Sequence, residues 1–415
     1  MSGVLTFLIR SSIQITACAA ATFISVEATS HSVQALTNIG CPSVMLIATI
    51  QNRTAEEHYK LGSLLVAKGD LDGAIAEYRM ALRLKPNFAE AHYNLGATLD
   101  LKGDLEGAIV EYRTVLEMNP RYVAAHDNLG NALAMKGDLE GAIAEYQVAL
   151  GLDANDSDAH YNLGSALDEK GNLEGAITEY KATLRLDPSH VYAHHKLAGA
   201  FYSKGDLKSA IVEYRIALRL NPNFAQAHTN LGNALQRKGD LTGAIVEYRT
   251  ALRLDPKLSE TSYNLANAFQ LKGNLKPAIT EYRRAVQLNP NFVQAHSNLG
   301  VALQRKGDLE GAISEYRTAL RINPGYVPAH ERLGSALAKK GDLEGAIAEY
   351  QTALRLNPNY AQAHSNLANA LETKRDLVSA LEEYKRAFSL DPSNLRAKAA
   401  LERVTNKLSK KTKSP

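Results

Sequence analysis

The pattern of apolar and polar positions in this chain recurs every 34 residues over most of its length. If Ala55 is position 1 of the first repeat, ten repeats follow one another without a gap as far as Asn394. A period of this length is typical of an array whose small units bury their apolar faces on their neighbours. The repeats are residues 55–88, 89–122, 123–156, 157–190, 191–224, 225–258, 259–292, 293–326, 327–360 and 361–394.

Each repeat contains two helical patterns. In the first half, apolar side chains recur at positions 3, 7, 10 and 11, as at Ala91, Leu95 and Leu99 in the second repeat. This spacing predicts an amphipathic helix, which we call helix A. The same spacing returns from Leu105 to Leu116 and predicts a second helix, helix B. The sequence therefore predicts an all-α solenoid of ten helix–turn–helix units.

The residues between the helices favour a helix end followed by a helix start. Gly103 at position 15 follows helix A, where the left-handed backbone of a helix end is easiest for glycine. Asp104 at position 16 is a favourable N-cap for helix B, and Pro120 at position 32 prevents that helix from continuing. Pro277 lies in the first turn of helix B in the seventh repeat, where we expect its missing N–H to have no cost.

Small and large residues at fixed positions indicate how the helices pack. Position 8 is glycine in seven repeats, and we expect it to face the alanine at position 20 so that helices A and B approach closely. Position 24 is tyrosine in all ten repeats, and we expect its ring to fill the space between one repeat and the next.

The segments on either side of the array differ from it. Residues 395–408 keep an apolar stripe, which predicts a capping helix on the tenth repeat, followed by a basic tail over residues 409–415. Residues 1–54 contain apolar runs shorter than the roughly 18 residues that a membrane helix needs. These residues are compatible with a signal peptide, and Ile15–Cys18 resembles a lipoprotein box that would lipidate Cys18. A disordered leader is the alternative.

Composition and charge limit the classes of function. With 47 Lys and Arg against 44 Asp and Glu, the net charge of +3 does not indicate a basic nucleic-acid surface, so we expect no nucleic-acid partner. The two cysteines, Cys18 and Cys41, lie outside the repeats, which therefore contain no disulfide or thiolate metal site. Ser, His and Asp recur only at the repeat spacing, without a phosphate-binding glycine loop, so we expect neither an enzyme nor a bound cofactor.

The residues at the constant positions resemble those of the tetratricopeptide repeat family. The resemblance implies a right-handed superhelix whose A helices line a concave groove for peptides. At position 4 the family favours tryptophan or another large residue, whereas nine repeats here have histidine and the seventh has Ser262. The residues that carry the resemblance in the second repeat and the start of the third are Asn94, Leu95, Gly96, Leu99, Ala108, Tyr112, Pro120 and Ala125.

The histidines at position 4 recur once per repeat. A metal site needs side chains that converge within a few ångströms, whereas these are separated by a whole helix pair. We interpret them as half-buried packing residues, and we interpret the glutamate at position 23 and the basic residue at position 25 as a solvated face. The histidines are His58, His92, His126, His160, His194, His228, His296, His330 and His364.

Position 6 carries a polar side chain in every repeat, on the face of helix A that is expected to line the groove. An asparagine amide can pair with both groups of a peptide backbone. The row resembles the asparagine ladder of protein O-linked N-acetylglucosamine transferases, without their catalytic domain; the alternative is that asparagine only packs neighbouring A helices together. The expected groove residues are Asn94, Asn128, Asn162, Lys196, Asn230, Asn264, Asn298, Arg332 and Asn366, with Tyr93, Tyr161 and Tyr263 as aromatic anchors.

These features predict a non-catalytic scaffold that binds extended segments of other proteins in the groove. One alternative is a subunit that brings substrates to a separately encoded glycosyltransferase. A second alternative is an exported or lipid-anchored factor in envelope assembly, which depends on whether residues 1–54 act as a signal. The same segment decides the location, which is cytoplasmic without a signal and exported or membrane-associated with one.

Overall fold

The computed structural model describes residues 53–411, so the signal and lipoprotein-box predictions fall on residues outside the described range. The described residues form 21 α-helices and no strand, which confirms the predicted all-α solenoid of helix pairs. None of these helices is both long and apolar enough to cross a lipid bilayer. The chain divides into two compact units, residues 1–188 and 189–415, and each is described by itself.

The first unit contains repeats one to four. In each repeat helix A is followed by a helix B of 14 residues, and helix B packs on the A helix of the next repeat in the unit. The helices are α1 (Ala55–Ala67), α2 (Leu71–Leu84), α3 (Ala89–Lys102), α4 (Leu105–Met118), α5 (Val123–Met135), α6 (Leu139–Leu152), α7 (Ser157–Glu169) and α8 (Leu173–Leu186).

The second unit contains repeats five to ten and one further helix. That last helix extends beyond the predicted residues 395–408 as far as Lys411, because lysine is a good helix former. The helices are α9 (Val191–Lys204), α10 (Leu207–Leu220), α11 (Ala225–Arg237), α12 (Leu241–Leu254), α13 (Ser259–Leu271), α14 (Leu275–Leu288), α15 (Val293–Lys306), α16 (Leu309–Ile322), α17 (Val327–Lys340), α18 (Leu343–Leu356), α19 (Ala361–Thr373), α20 (Leu377–Leu390) and α21 (Leu395–Lys411).

The turn between helices A and B has the expected chemistry in most repeats. The nine glycines at position 15 have φ between 80° and 95°, and the tenth repeat has Arg375 there at φ 68°. The side chain at position 16 accepts a hydrogen bond from the N–H of position 19, as in Asp104 and Gly107 at 3.0 Å. Asn274 has no such bond, because Pro277 occupies position 19 and has no N–H. The expectation that Pro277 has no cost is therefore wrong.

The conserved glycine at position 8 accommodates a tyrosine rather than an alanine. A Cβ placed on Gly62 would lie 2.7 Å from Cε1 of Tyr78, at position 24 of the same repeat. The ring thus packs against the glycine of its own repeat, a partner that neither packing expectation named. Its hydroxyl bonds to the side chain at position 9, as between Tyr146 and Asn131 at 2.7 Å. Helices A and B are held together by this ring and its hydroxyl.

Candidate functional site

One face of helix A carries the residues that sequence analysis assigned to the groove. We call this surface the A-face and define it by positions 2, 5, 6, 9, 12 and 13 of the repeats. The position-6 side chain is half-buried wherever the sequence analysis placed a groove residue, including Asn162 and Lys196. Each therefore has part of its polar group within the packing of the A helices and part at the surface.

The position-6 amide forms a hydrogen bond to the preceding repeat. Nδ2 of Asn94 donates to the hydroxyl of Tyr59 at 3.0 Å, which lies at position 5 of the first repeat. The same bond recurs in both units, with nearly the same length. The other two pairs are Asn128 with Tyr93 at 2.9 Å and Asn298 with Tyr263 at 3.0 Å. The row of amides therefore also links neighbouring A helices.

In other repeats the position-6 side chain uses a different acceptor. Nδ2 of Asn230 donates to Nε2 of His195 at 3.0 Å, which requires that this nitrogen be unprotonated. Burial, assisted by the charge of Lys196, lowers the pKa of His195 to about 4, so the imidazole is neutral and its nitrogen can accept. The remaining bonds join Asn264 to Asn233 at 3.0 Å, Asn366 to Glu331 at 2.6 Å and Arg332 to Ser297 at 2.7 Å.

The tyrosines proposed as aromatic anchors are packed inside their own repeats. The ring of Tyr93 lies 5.2 Å from the ring of Tyr122 and 6.0 Å from that of Tyr112. Tyr161 and Tyr263 each lie 6.0 Å from the position-24 ring of their own repeat. Each ring is therefore half-buried against another ring, and a role as an aromatic anchor stays a prediction.

The amide oxygens remain open at three positions of the row, whereas those of Asn230, Asn298 and Asn366 accept from Gln226, Arg332 and Gln362. The Oδ1 atoms of Asn94, Asn128 and Asn264 accept no hydrogen bond from the described residues. A half-buried carbonyl oxygen without a partner favours a donor from outside, such as a backbone N–H. The arrangement is a row of acceptors, rather than the paired donors and acceptors that the sequence suggested.

The histidines and glutamates form a second repeated arrangement, which the sequence analysis missed. In nine repeats Nδ1 of the position-4 histidine donates to the position-23 glutamate at 2.5–2.6 Å. The glutamate side chains are only 16–27% exposed, so their assignment to a solvated face was wrong. The spacing of 19 residues recurs throughout the sequence and was the available signal.

The second ring nitrogen of most of these histidines also donates. Nε2 of His92 lies 2.9 Å from the carbonyl oxygen of Pro86, the last proline of the preceding repeat. Since both oxygens are acceptors, only a doubly protonated imidazolium can make both bonds. His228 and His296 show the same pattern, and for His228 the hydrogen bond to Glu247 raises the pKa of the imidazole. The pair of His228 with Glu247 is therefore a charged link between helices.

The seventh repeat lacks the histidine and has a substitute. Ser262 is buried and its hydroxyl has no partner among the described residues. Arg284, at position 26, donates to the carbonyl oxygen of Pro256 at 2.9 Å and lies 3.9 Å from Glu281. Burial raises the pKa of Glu281, because the arginine is too far away to form a hydrogen bond with its carboxylate.

Family comparisons agree with this architecture. The model described as TPR repeat matches residues 62–99, 101–137, 130–169, 166–203, 199–239, 237–273, 271–307, 305–341 and 334–374, and the model described as Tetratricopeptide repeat matches residues 361–394. The chain therefore belongs to the tetratricopeptide repeat family. Arrays of this family are protein-interaction scaffolds, and that is the class to which this protein belongs.

Several solved structures are similar to parts of the array. MamA is 27% identical, covering 40% of this chain and 97% of its own, with a TM-score of 0.38. YrrB, described as a TPR protein with an unusual peptide-binding site, is 24% identical over 47% of this chain and 97% of its own, with a TM-score of 0.41. The C-terminal part of a TPR repeat-containing protein from Cytophaga hutchinsonii is 19% identical over 58% and 99%, with a TM-score of 0.49. No curated protein sequence matches the chain significantly.

Proposed function

We propose that the protein is a non-catalytic scaffold whose A-face binds extended segments of partner proteins through their backbone N–H groups. The observation that carries the proposal is the open Oδ1 atom at position 6, as in Asn94, Asn128 and Asn264. Because each amide is held by a bond to the preceding repeat, its oxygen has a defined direction before a ligand arrives. Such preorganisation reduces the entropy lost on binding.

The variable positions beside this row would supply sequence preference. In the first unit the A-face carries Asp127, whose pKa is raised to about 7 by burial and by the neighbouring Asp156. In the second unit it carries Arg332 and the exposed ring of Tyr192, which is 58% accessible. A partner would thus be selected by charge and by one aromatic contact, while the amides hold its backbone.

The test begins with peptides selected from a random display library on the full-length protein. Replacing Asn264 by alanine is expected to weaken binding of peptides that occupy the second unit by roughly fivefold, since one bond of about 1 kcal/mol to its open Oδ1 is lost. Asp240→Ala with Asp308→Ala is the control, because it removes two helix caps without changing the A-face. Equal binding by both variants and the wild type would refute the proposal.

A further inference from the structure

A repeated ion pair joins neighbouring repeats at the turn between helices A and B. Position 14 is lysine in all ten repeats, and its ammonium reaches the carboxylate at position 18 of the preceding repeat. The pair recurs in both units, so it belongs to the general design of the array. The pairs are Lys102 with Asp72, Lys136 with Glu106, Lys170 with Glu140, Lys340 with Glu310 and Lys374 with Glu344.

Three successive boundaries in the second unit lack this pair. Position 18 is Lys208 in the fifth repeat, Thr242 in the sixth and Lys276 in the seventh. The lysines that follow at position 14 therefore meet another lysine or a hydroxyl; Lys272 donates to Thr242 at 3.0 Å. We call Lys208, Lys238, Lys276 and Lys306 the lysine edge; all four are exposed, and none forms an ion pair with a carboxylate of the described residues.

The lysine edge works against the stability of the array. Lys208 and Lys276 occupy the first turns of α10 and α14, where the helix dipole favours a negative charge. Each is also placed at the boundary position that faces a second lysine, so like charges replace an attractive pair. An arrangement that lowers stability twice in the same way is typical of a surface kept for binding.

The distribution of charge supports the same conclusion. Residues 191–292 contain 14 Lys and Arg against seven Asp and Glu, whereas residues 55–190 contain 12 against 23. The near-neutral total therefore hides a basic segment, and the argument from net charge in the sequence analysis does not apply to these repeats. A basic surface of this kind attracts an acidic partner and accelerates its association.

We propose that the lysine edge binds an acidic segment of a partner protein, whose carboxylates occupy the places that position 18 fills at the other boundaries. Lysine at position 14 already binds a carboxylate in this geometry elsewhere in the chain, as Lys340 does with Glu310 at 2.7 Å. At each described boundary where the position-14 lysine forms an ion pair, its partner is a carboxylate, so a carboxylate-bearing segment is favoured as the ligand. The lysine edge shares no residue with the A-face, so it is a second, separate interaction surface.

The test is a pair of substitutions that restores the usual ion pair. Lys208→Glu with Lys276→Glu supplies carboxylates to Lys238 and Lys306, so the variant is expected to melt at the same temperature as the wild type or higher. Its affinity for a labelled poly-L-glutamate, followed by fluorescence anisotropy at about 50 mM salt, is expected to fall roughly tenfold or more.

A control variant changes the net charge equally at other exposed sites. Lys257→Glu with Lys385→Glu alters two exposed lysines outside both the lysine edge and the A-face and is expected to retain most of the affinity for poly-L-glutamate. The proposal is overturned if both double variants lose affinity equally, which would indicate only a general effect of charge. It is also overturned if the wild type binds a single-stranded oligonucleotide of equal charge more tightly than poly-L-glutamate, which would identify a nucleic-acid surface instead.

Discussion

The guanidinium of Arg284 donates a 2.9 Å hydrogen bond to the carbonyl oxygen of Pro256. In most other repeats the equivalent carbonyl accepts from the imidazole of the position-4 histidine, which the seventh repeat lacks. The arginine also lies 3.9 Å from Glu281, the carboxylate that the missing histidine would bind. One arginine on helix B thus replaces, incompletely, a histidine on helix A.

Arg284→Ala is expected to lower the free energy of unfolding by about 1–2 kcal/mol, because it leaves the Pro256 carbonyl without its donor and removes the positive charge nearest to Glu281. The matched control is Arg386→Ala, at the same position in the tenth repeat, where His364 holds both Glu383 and the preceding carbonyl. That variant is expected to change stability by less than about 0.5 kcal/mol. Urea denaturation of the two variants compares them directly. Equal losses of stability would contradict the conclusion that Arg284 takes the structural role of the missing histidine.

Arg375 is the described residue other than glycine that has a positive φ. The left-handed conformation strains any side chain with a Cβ, and the other nine repeats have glycine at this position. Arg375→Gly is therefore expected to raise the free energy of unfolding by about 1 kcal/mol, and Gly341→Arg to lower it by a similar amount. Thermal unfolding followed by circular dichroism measures both changes. If Arg375→Gly were less stable than the wild type, contacts of the arginine side chain would stabilise the fold by more than the backbone strain destabilises it.

The charged link of His228 makes part of the stability dependent on pH. Glu247 raises the pKa of this imidazole, aided by the carbonyl of Pro222, while burial and the nearby Arg253 oppose the rise. Because the folded pKa is raised, the contribution is fully present below the unfolded value near 6.5 and is lost as the pH rises through the folded value. His228→Gln should destabilise the protein more at pH 5.5 than at pH 9. Chemical denaturation at both pH values gives the comparison, and an equal effect would contradict an imidazolium link.

Asp127 also makes the stability fall as the pH rises, over a range that begins at lower pH. Burial and then the nearby Asp156 raise the pKa of its carboxyl to about 7, and Oδ1 has no hydrogen-bond partner among the described residues. The folded protein therefore favours the protonated form, and the wild type loses stability as the pH rises from about 4 towards and beyond 7. Asp127→Asn should raise the free energy of unfolding by about 1 kcal/mol at pH 8, after allowance for solvent screening, and have little effect at pH 4. A gain that is the same at both pH values would contradict this assignment.

The helix pairs could be predicted from the sequence because their signals are local. Gly103 ends a helix, Asp104 begins the next and Pro120 ends it, and each signal acts within a few residues of itself. Pro277 shows where a local rule was incomplete. Its missing N–H is unneeded for the helix ladder, but the same N–H binds the capping side chain in the other nine repeats.

The partners of the buried polar residues could not be predicted in the same way. Periodicity shows which face of a helix is buried, but it does not show which neighbouring helix meets that face. Glu111 was therefore assigned to solvent, although it lies against His92, and the ring of Tyr112 was placed between repeats, although it lies against Gly96. For the same reason, the sequence could not decide whether Asn94 packs neighbouring A helices together or binds a peptide, and its bond to the preceding repeat is seen only in the structure.

The central claim is that the position-6 amides bind a partner backbone in addition to linking neighbouring repeats. Two double variants separate these roles, because they break the same two hydrogen bonds from opposite sides. One replaces the amides by alanine and the other replaces the hydroxyls by hydrogen. The variants are Asn94→Ala with Asn128→Ala against Tyr59→Phe with Tyr93→Phe.

The deciding measurement is the affinity of both variants for a library-selected peptide by isothermal titration calorimetry. We predict similar losses of stability in the two variants, with peptide affinity lost roughly tenfold or more only in the alanine variant, because only that variant lacks the acceptor oxygens. Equal peptide affinity in the two variants would contradict the account and would leave the amides with a purely structural role.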